Sequence, residues 1–383
     1  MWKHIAANAL TLLIVAFVML AGVMAMGRHA FTASGPLEQA ICLRVEQGAT
    51  LRAVAASLDE QGAVSSPMLF RLGAQYDGRD RNLRFGSYLV PAGASMDEIL
   101  GIVTRGGAST CGTEVVLRVG VTQVTYQVRE LDPTTSRFTE TAVLPLDTTD
   151  FPPAYTQVAE QPDTRFRIAV AEGATSWQIW NALNNAEFLS GLIPEQPAEG
   201  VLSPDSYEVR RGADRAELVA EMEARQAAIL ATAWENRAQN LPFDTPEEAL
   251  ILASIVEKET GVPEERRVVA SVFINRLGVP MRLQTDPTVI YGITRGQGVL
   301  GRGLRRSELN ADTPYNTYRI DGLPPTPIAN PGREAIEAVL DPEQTDYLYF
   351  VADGSGGHVF ASTLAQHNEN VARWRQIEGQ QGN

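Results

Sequence analysis

The longest apolar run lies near the start of the chain: Ile5 to Met26 carries no charge over 22 residues and is interrupted only by the mild polarity of Asn8 and Thr11. That length is enough to cross a bilayer. A cleaved signal peptide is the competing reading, but its apolar region is usually only about 7–15 residues long, and no clear small-x-small cleavage site follows. The pattern therefore favours an uncleaved anchor. Lys3 precedes the run and Arg28 and His29 follow it, so flanking charge leaves the orientation open. With no second span, everything after residue 30 shares one compartment, expected to be the outside.

Beyond the anchor the chain repeats itself. Val45-x-x-Gly48-Ala49-Thr50, Val90-x-x-Gly93-Ala94-Ser95, Val170-x-x-Gly173-Ala174-Thr175 and Val209-x-x-Gly212-Ala213-Asp214 share one pattern. Each is followed by apolar residues at helical spacing: Val54 and Leu58, Ile99 and Val103, Ile179 and Leu183, Leu218 and Met222. The physical reading is a strand end, a glycine turn and an N-cap side chain opening a helix. Ser87-Tyr88-x-Val90 recurs as Ser206-Tyr207-x-Val209, so the copies group in pairs and point to one duplicated module. The first copy reads as strand 41–46, helix 50–60, a helix opening at Ser66-Pro67, and strand 84–90. This order resembles a LysM-type carbohydrate-binding unit, although short βααβ units also serve as plain spacers. Between the modules, Glu114 to Val128 alternates as a hairpin, with Val115, Leu117 and Val119 on one face. The stretch from there to Asp163, rich in Thr, Pro and Asp, reads as a long loop or linker.

The pattern changes to a helical period after Phe243. Thr245-Pro246-x-Glu248 forms a capping box with proline at the first helical position, and Gly261 followed by Pro263 stops the helix, predicting 246–260. Pro263 opens a second helix that Gly278 closes. On the first helix Leu252, Ile255, Val256 and Glu259 fall at i, i+3, i+4 and i+7, so Glu259 continues the buried stripe while Glu257 and Lys258 are expected to turn to solvent. Burial and the negative end of the helix dipole both disfavour a charged carboxyl, which suits Glu259 to a general acid. An ordinary surface glutamate is the alternative.

Composition narrows the function classes. At 383 residues, 44% hydrophobic and 20% charged, the chain has material for two or three domains. A net charge of −14 argues against nucleic acid as a partner, since a phosphate backbone demands clustered Lys and Arg. The two cysteines, Cys42 and Cys111, bracket the first module and leave both a disulfide and two unpaired buried thiols open; no Cys-x-x-Cys or histidine cluster points to zinc. No cofactor is expected.

The run Ala253-Ser254-Ile255-Val256-Glu257-Lys258-Glu259-Thr260-Gly261, then Glu265-Arg266, Val272 to Leu277 and Met281 to Gly292, resembles the YceG-like family of endolytic murein transglycosylases. The likeness continues through Tyr315-Asn316-Thr317-Tyr318, Gly322-Leu323-Pro324-Pro325, Asn330-Pro331-Gly332, Tyr347 to Ala352 and Gly357-His358-x-Phe360. It is close over about residues 199–372. One departure is Val201-Leu202-Ser203-Pro204, where the family usually carries aromatic rings; another is the insertion at 112–165.

The resemblance implies that Glu259, the second glutamate of Glu257-x-Glu259-Thr260, is catalytic. It implies cleavage of the bond between N-acetylmuramic acid and N-acetylglucosamine, leaving 1,6-anhydro ends and terminating nascent strands. Asp286 is the candidate second carboxylate of a rival, water-using muramidase, or else an N-cap or turn residue. Gln284, Asn316 and Asn330 read either as hydrogen-bond partners of sugar groups or as loop braces, and Tyr315 or Tyr318 as stacking platforms or braces. His358 reads as hairpin chemistry. A non-catalytic glycan-binding scaffold is the third class.

The expected architecture is α+β: cytoplasmic tip and anchor 1–30, LysM-like module 38–111, hairpin and linker 112–165, second module and connecting helix 166–240, catalytic domain 241–378. The implied setting is a bacterial inner membrane, single-pass, with a periplasmic catalytic domain. Implied partners are peptidoglycan glycan strands, peptidoglycan synthases of the elongation or division machinery, and the membrane through the N-terminal helix.

Overall fold

The computed structural model describes residues 2–105 and 109–381. It is a mixed α+β structure with an apolar N-terminal helix. Its contacts divide into two compact units, the first comprising Met1–Val115, Gln127–Val143 and Asp150–Arg165, the second Val116–Tyr126, Leu144–Thr149 and Phe166–Asn383.

The first unit opens on helix α1, Trp2–Thr32. Within it Leu10–Thr32 is long and apolar enough to cross a membrane. The expected βααβ order follows: β1 (Ile41–Val45), α2 (Leu51–Glu60), α3 (Pro67–Tyr76) and β2 (Gly86–Val90), then α4 (Met96–Arg105). Strands β1 and β2 pair antiparallel, from Ile41 opposite Val90 to Val45 opposite Gly86. Leu43, Leu58, Phe70, Val90 and Ile99 are fully buried between the strands and helices. Cys42 and Cys111 are joined in a disulfide across a separation of 69 residues, which resolves the alternative left by the sequence.

Strands β3 (Thr113–Val119) and β4 (Val124–Asp132) form the expected hairpin. Val115, Leu117 and Val119 are buried as predicted, and so is the intervening Val116. The stretch after the hairpin is not a linker. It contains strand β5 (Arg137–Pro145), which lies against β4, and helix α5 (Pro153–Ala159). β5 is exposed along most of its length, and Thr141 Oγ1 donates to Val128 O at 3.1 Å. An edge strand of this kind buries almost no apolar surface, so no buried alternating face marks it in the sequence, although its threonines suit a strand.

In the second unit β6 (Arg165–Val170) is followed by α6 (Ser176–Asn185), the two-residue β7 (Leu189–Ser190), β8 (Ser206–Val209), the two-residue β9 (Ala213–Asp214) and the long α7 (Arg215–Glu235). β6 and β8 pair antiparallel and β7 and β9 parallel. The helices α8 (Pro246–Glu259), α9 (Arg266–Leu277), α10 (Asp286–Thr294), α11 (Arg306–Leu309) and α12 (Arg333–Leu340) come next. The chain then forms a hairpin of β10 (Tyr349–Ala352) and β11 (His358–Ala361), and ends in α13 (Leu364–Gln381). Leu252, Ala253, Ile255 and Val256 of α8 are fully buried against Val269, Ala270 and Phe273 of α9 and Ile336 and Val339 of α12.

The fourfold sequence repeat is a real structural unit. Val45, Val90, Val170 and Val209 each end a strand, and the glycines that follow, Gly48, Gly93, Gly173 and Gly212, all have φ between 70° and 81°. That left-handed turn is open to glycine at no steric cost. Thr50, Ser95, Thr175 and Asp214 then accept backbone N–H groups of the next helix.

Candidate active site

Helix α8 begins where the sequence places it. Thr245 accepts the Glu248 amide while the Glu248 side chain accepts the Thr245 amide, a complete capping box with Pro246 behind it. The helix ends at Glu259, capped by Thr260, and a short 3-10 turn at Pro263–Glu265 leads into α9. This chain reversal leaves Glu259 in the last turn, at the edge of the core that its stripe neighbours fill.

The Glu259 carboxyl is held by the segment that opens α10. Thr285, itself buried, donates its hydroxyl to Glu259 Oε1. Thr285 is fixed in turn by two further buried threonines. Its amide donates to Thr317 Oγ1 at 3.0 Å, Thr317 Oγ1 lies 2.9 Å from Thr288 Oγ1, and Thr288 Oγ1 donates to Thr285 O at 2.8 Å. Burial drives the carboxyl above the ordinary glutamate range, and the nearby Asp286 charge pushes the same way. The Thr285 hydroxyl, His358 and Arg276 act in the opposite sense. The site therefore favours a neutral Glu259 while keeping groups at hand that stabilise its anion.

Arg276 is buried on α9, and its guanidinium donates to Leu348 O and Leu283 O, bridging the residue that leads into β10 and the loop before α10. His358 opens β11, as the hairpin reading expects, and its Nδ1 lies 2.7 Å from Glu265 Oε2 while Glu265 Oε1 accepts the His358 amide. A separate hollow of about 440 Å³, bounded by Arg266, Arg267, Glu334 and Asp341 among others, does not include Glu259.

Asp286 departs from its expected capping role. Thr285 occupies the N-cap position, and Asp286 is the first residue of α10, exposed, with Oδ1 accepting the Tyr318 hydroxyl at 2.7 Å. Burial and that bond raise Tyr318 well above the usual phenol range. Gln284 is exposed beside it in a left-handed conformation, φ 50°, with its amide donating to Thr317 O.

The other candidates lie deeper. Tyr315 is part of the core, its hydroxyl 2.8 Å from Thr326 Oγ1 and its ring against Tyr291 and the Arg295 guanidinium. Asn316 is fully buried and donates to the carbonyls of Glu308, Leu309 and Ala311 while accepting the Tyr318 amide. Asn330 is fully buried as well. Its side chain donates to Ala174 O and accepts the Leu202 amide at 2.9 Å, and its backbone exchanges hydrogen bonds with Gly173 and Ala174. Of the two readings offered by the sequence, this geometry supports the brace for all three. Asn330 fastens the third repeat turn to the loop before α12.

Glu257 and Lys258 do not simply face water. Glu257 is half-buried and its Oε2 accepts the Gly332 amide at 2.9 Å; Lys258, though largely exposed, reaches Gly173 O at 3.3 Å. The apolar stripe does not report this because α8 is surrounded: the repeat turn and the 330–332 loop cover the flank that a two-sided helix would leave open. Sequence reading also missed Glu199. It is buried, accepts the Ser176 amide at 2.7 Å and the Tyr291 hydroxyl at 3.0 Å, and is raised by burial above the ordinary carboxyl range. A lone glutamate in a loop carries no periodicity that could have flagged it.

The model of the YceG-like family matches residues 43–373. The chain belongs to that family. Among curated relatives, a protein of Bacillus subtilis (strain 168) named endolytic murein transglycosylase is 28% identical over 328 residues, covering 85% of this chain and 82% of the relative. A protein of the same name from Streptococcus pneumoniae serotype 2 (strain D39 / NCTC 7466) is 26% identical over 343 residues, and the match spans 87% of this chain but 58% of the pneumococcal protein. A crystal structure of a YceG-like protein from Listeria monocytogenes is 23% identical with a TM-score of 0.45, covering 86% of this chain and 98% of that one.

Proposed function

We propose that this YceG-like protein is an endolytic peptidoglycan lytic transglycosylase in which Glu259 acts first as acid and then as base. The observation that carries the proposal is the Glu259 carboxyl itself: desolvated at the end of α8, hydrogen-bonded by Thr285, and next to a second carboxylate that discourages its ionisation. Two curated relatives named endolytic murein transglycosylase support the same reading.

In this mechanism neutral Glu259 protonates the glycosidic oxygen between N-acetylmuramic acid and N-acetylglucosamine. The resulting carboxylate, steadied by the Thr285 hydroxyl, takes the proton from the muramic C6 hydroxyl as that oxygen attacks its own anomeric carbon. The product is a 1,6-anhydro ring, and water is not consumed. One carboxylate suffices because the nucleophile is intramolecular, with an effective molarity that can reach on the order of 10⁵ M. An ordinary glycosidase needs a second carboxylate, and exposed Asp286 would have to fill that place. Asp286 and Tyr318, whose charges couple to the Glu259 carboxyl, and exposed Gln284 next to Thr285 are assigned to substrate contact; Tyr315, Asn316 and Asn330 are assigned to holding the segments that present them.

The wider reading places the catalytic part at 241–378, LysM-like glycan-binding modules at 38–111 and within 166–240, and 112–165 between them. The disulfide of Cys42 and Cys111 supports an oxidising, extracytoplasmic setting for the chain beyond its anchor. Cuts in nascent strands alongside peptidoglycan synthases would terminate their growth. Digestion of purified sacculi followed by identification of the new glycan ends tests the reaction. Anhydro ends are expected, and reducing ends would replace this mechanism with the Asp286-assisted hydrolysis.

A further inference from the structure

Helix α3 presents four different faces. At about 100° per residue, Phe70 and Ala74 point into the core of the first unit, where both are fully buried. Leu69 and Gly73 face α1: the Phe31 ring lies against Gly73, and the Leu69 side chain approaches Gly27. Arg71 and Gln75 form a polar flank. The remaining face carries Met68, Leu72 and Tyr76, which are 68%, 50% and 88% exposed.

Three large apolar side chains at i, i+4 and i+8 on one short helix are a contiguous stripe. Around the helix, the stripe adjoins the side that touches α1, as the turn of one residue from Met68 to Leu69 and from Leu72 to Gly73 requires. Its height is fixed by the same contact. The uncharged run ends at Met26, and Gly27 and Phe31, the α1 residues that α3 touches, bracket Arg28 and His29, the first charged or titratable groups beyond it. A span of about 20 residues fills the hydrocarbon core. The α1–α3 contact therefore falls in the last residues of the Leu10–Thr32 stretch, where charge first appears and the helix meets the headgroups.

We propose that the Met68, Leu72 and Tyr76 face of α3 rests on the phospholipid bilayer beside the anchor. The inference rests on the reading of α1 as a membrane span. Its occupant is the interfacial zone of the lipid: apolar side chains enter the acyl boundary, a tyrosine sits at headgroup depth, and Arg71 on the flank lies where it can meet lipid phosphate. The first module would then be a foot planted on the membrane and not a tether swinging from it.

The test uses the full chain reconstituted in vesicles of phosphatidylethanolamine and phosphatidylglycerol, with Leu72→p-benzoylphenylalanine, Tyr76→p-benzoylphenylalanine and, inside the span, Leu20→p-benzoylphenylalanine. After irradiation, mass spectrometry reads adducts to lipid or protein. Lipid adducts at 72 and 76 in yields comparable to those at 20 are expected. Adducts only to a second copy of the chain, or none above the unirradiated background while Leu20 reacts with lipid, overturn the surface contact. Failure at Leu20 as well overturns the anchor and the contact with it.

Discussion

Thr285 and Glu259 meet between two helix ends: the hydroxyl of the residue that caps α10 donates to the carboxyl of the residue that ends α8. That bond opposes the burial that raises the Glu259 carboxyl above its ordinary range. A group that must give up a proton and then take one back needs both influences, one for each half of the cycle.

The proton balance predicts a pH profile. Because Glu259 is raised, the reactive neutral form persists above the ordinary carboxyl range and is lost as pH rises through the raised value. Cleavage of sacculi should therefore fall on an alkaline limb set by a carboxyl titrating above 4.5, the usual glutamate value. Stability should follow the same sign. Glu199, Glu257 and Glu259 are all raised, so their contribution is complete below the unfolded carboxyl value and declines as pH climbs through the folded values. A cleavage rate that rises through this region contradicts the assignment of Glu259 as the starting acid.

Thr285 and Asp286 should move that limb in opposite directions. Thr285→Val removes a donor that favours the anion, so the limb shifts up and turnover falls by about 10- to 100-fold, the equivalent of one hydrogen bond to a charged group. Asp286→Asn removes a neighbouring negative charge, so the limb shifts down while the anhydro ends remain. Pre-steady-state cleavage followed across pH reads both, and total loss of activity in Asp286→Asn, with reducing ends from the unaltered chain, favours the hydrolytic alternative.

Glu257 tests the covered flank of α8. Glu257→Gln retains an acceptor for the Gly332 amide and should change melting little. Glu257→Ala strands that amide and should cost about 1–3 kcal/mol. Thermal denaturation monitored by circular dichroism compares them; equal melting points would mean that the Glu257 contact contributes nothing.

The disulfide predicts a separate effect on the first unit. Cys42→Ser with Cys111→Ser opens a loop of 69 residues, and loop-closure entropy sets the cost at about 4 kcal/mol. Hydrogen exchange of the Leu43 and Val90 amides should accelerate sharply; unchanged protection contradicts a stabilising role for the bridge.

Much of this was legible because turns and caps are local. A glycine three residues after a valine and a Thr, Ser or Asp two later specify a strand end, a left-handed turn and a cap, and all four copies adopt that geometry. Proline and a capping box likewise fix the start of α8. The failures are long-range. β5 pairs with its neighbour strand and has no buried face, so without apolar alternation and flanked by Pro and Asp it reads as loop. Glu257 and Glu199 owe their burial to segments distant in the chain, Gly332 and Tyr291 among them, which periodicity on a single helix cannot report. Asn330 and Asn316 look the same in sequence whether they hold a sugar or a backbone, and only their partners distinguish the two.

The most direct measurement is sacculus digestion by Glu259→Gln compared with the unaltered chain at equal, verified folding. Glutamine keeps the volume and can still accept the Thr285 hydroxyl, but it has no proton to give and cannot take one. The account predicts that release of anhydro-muropeptides drops to the uncatalysed background while the melting temperature is held or raised. Anhydro products formed at an undiminished rate would contradict it.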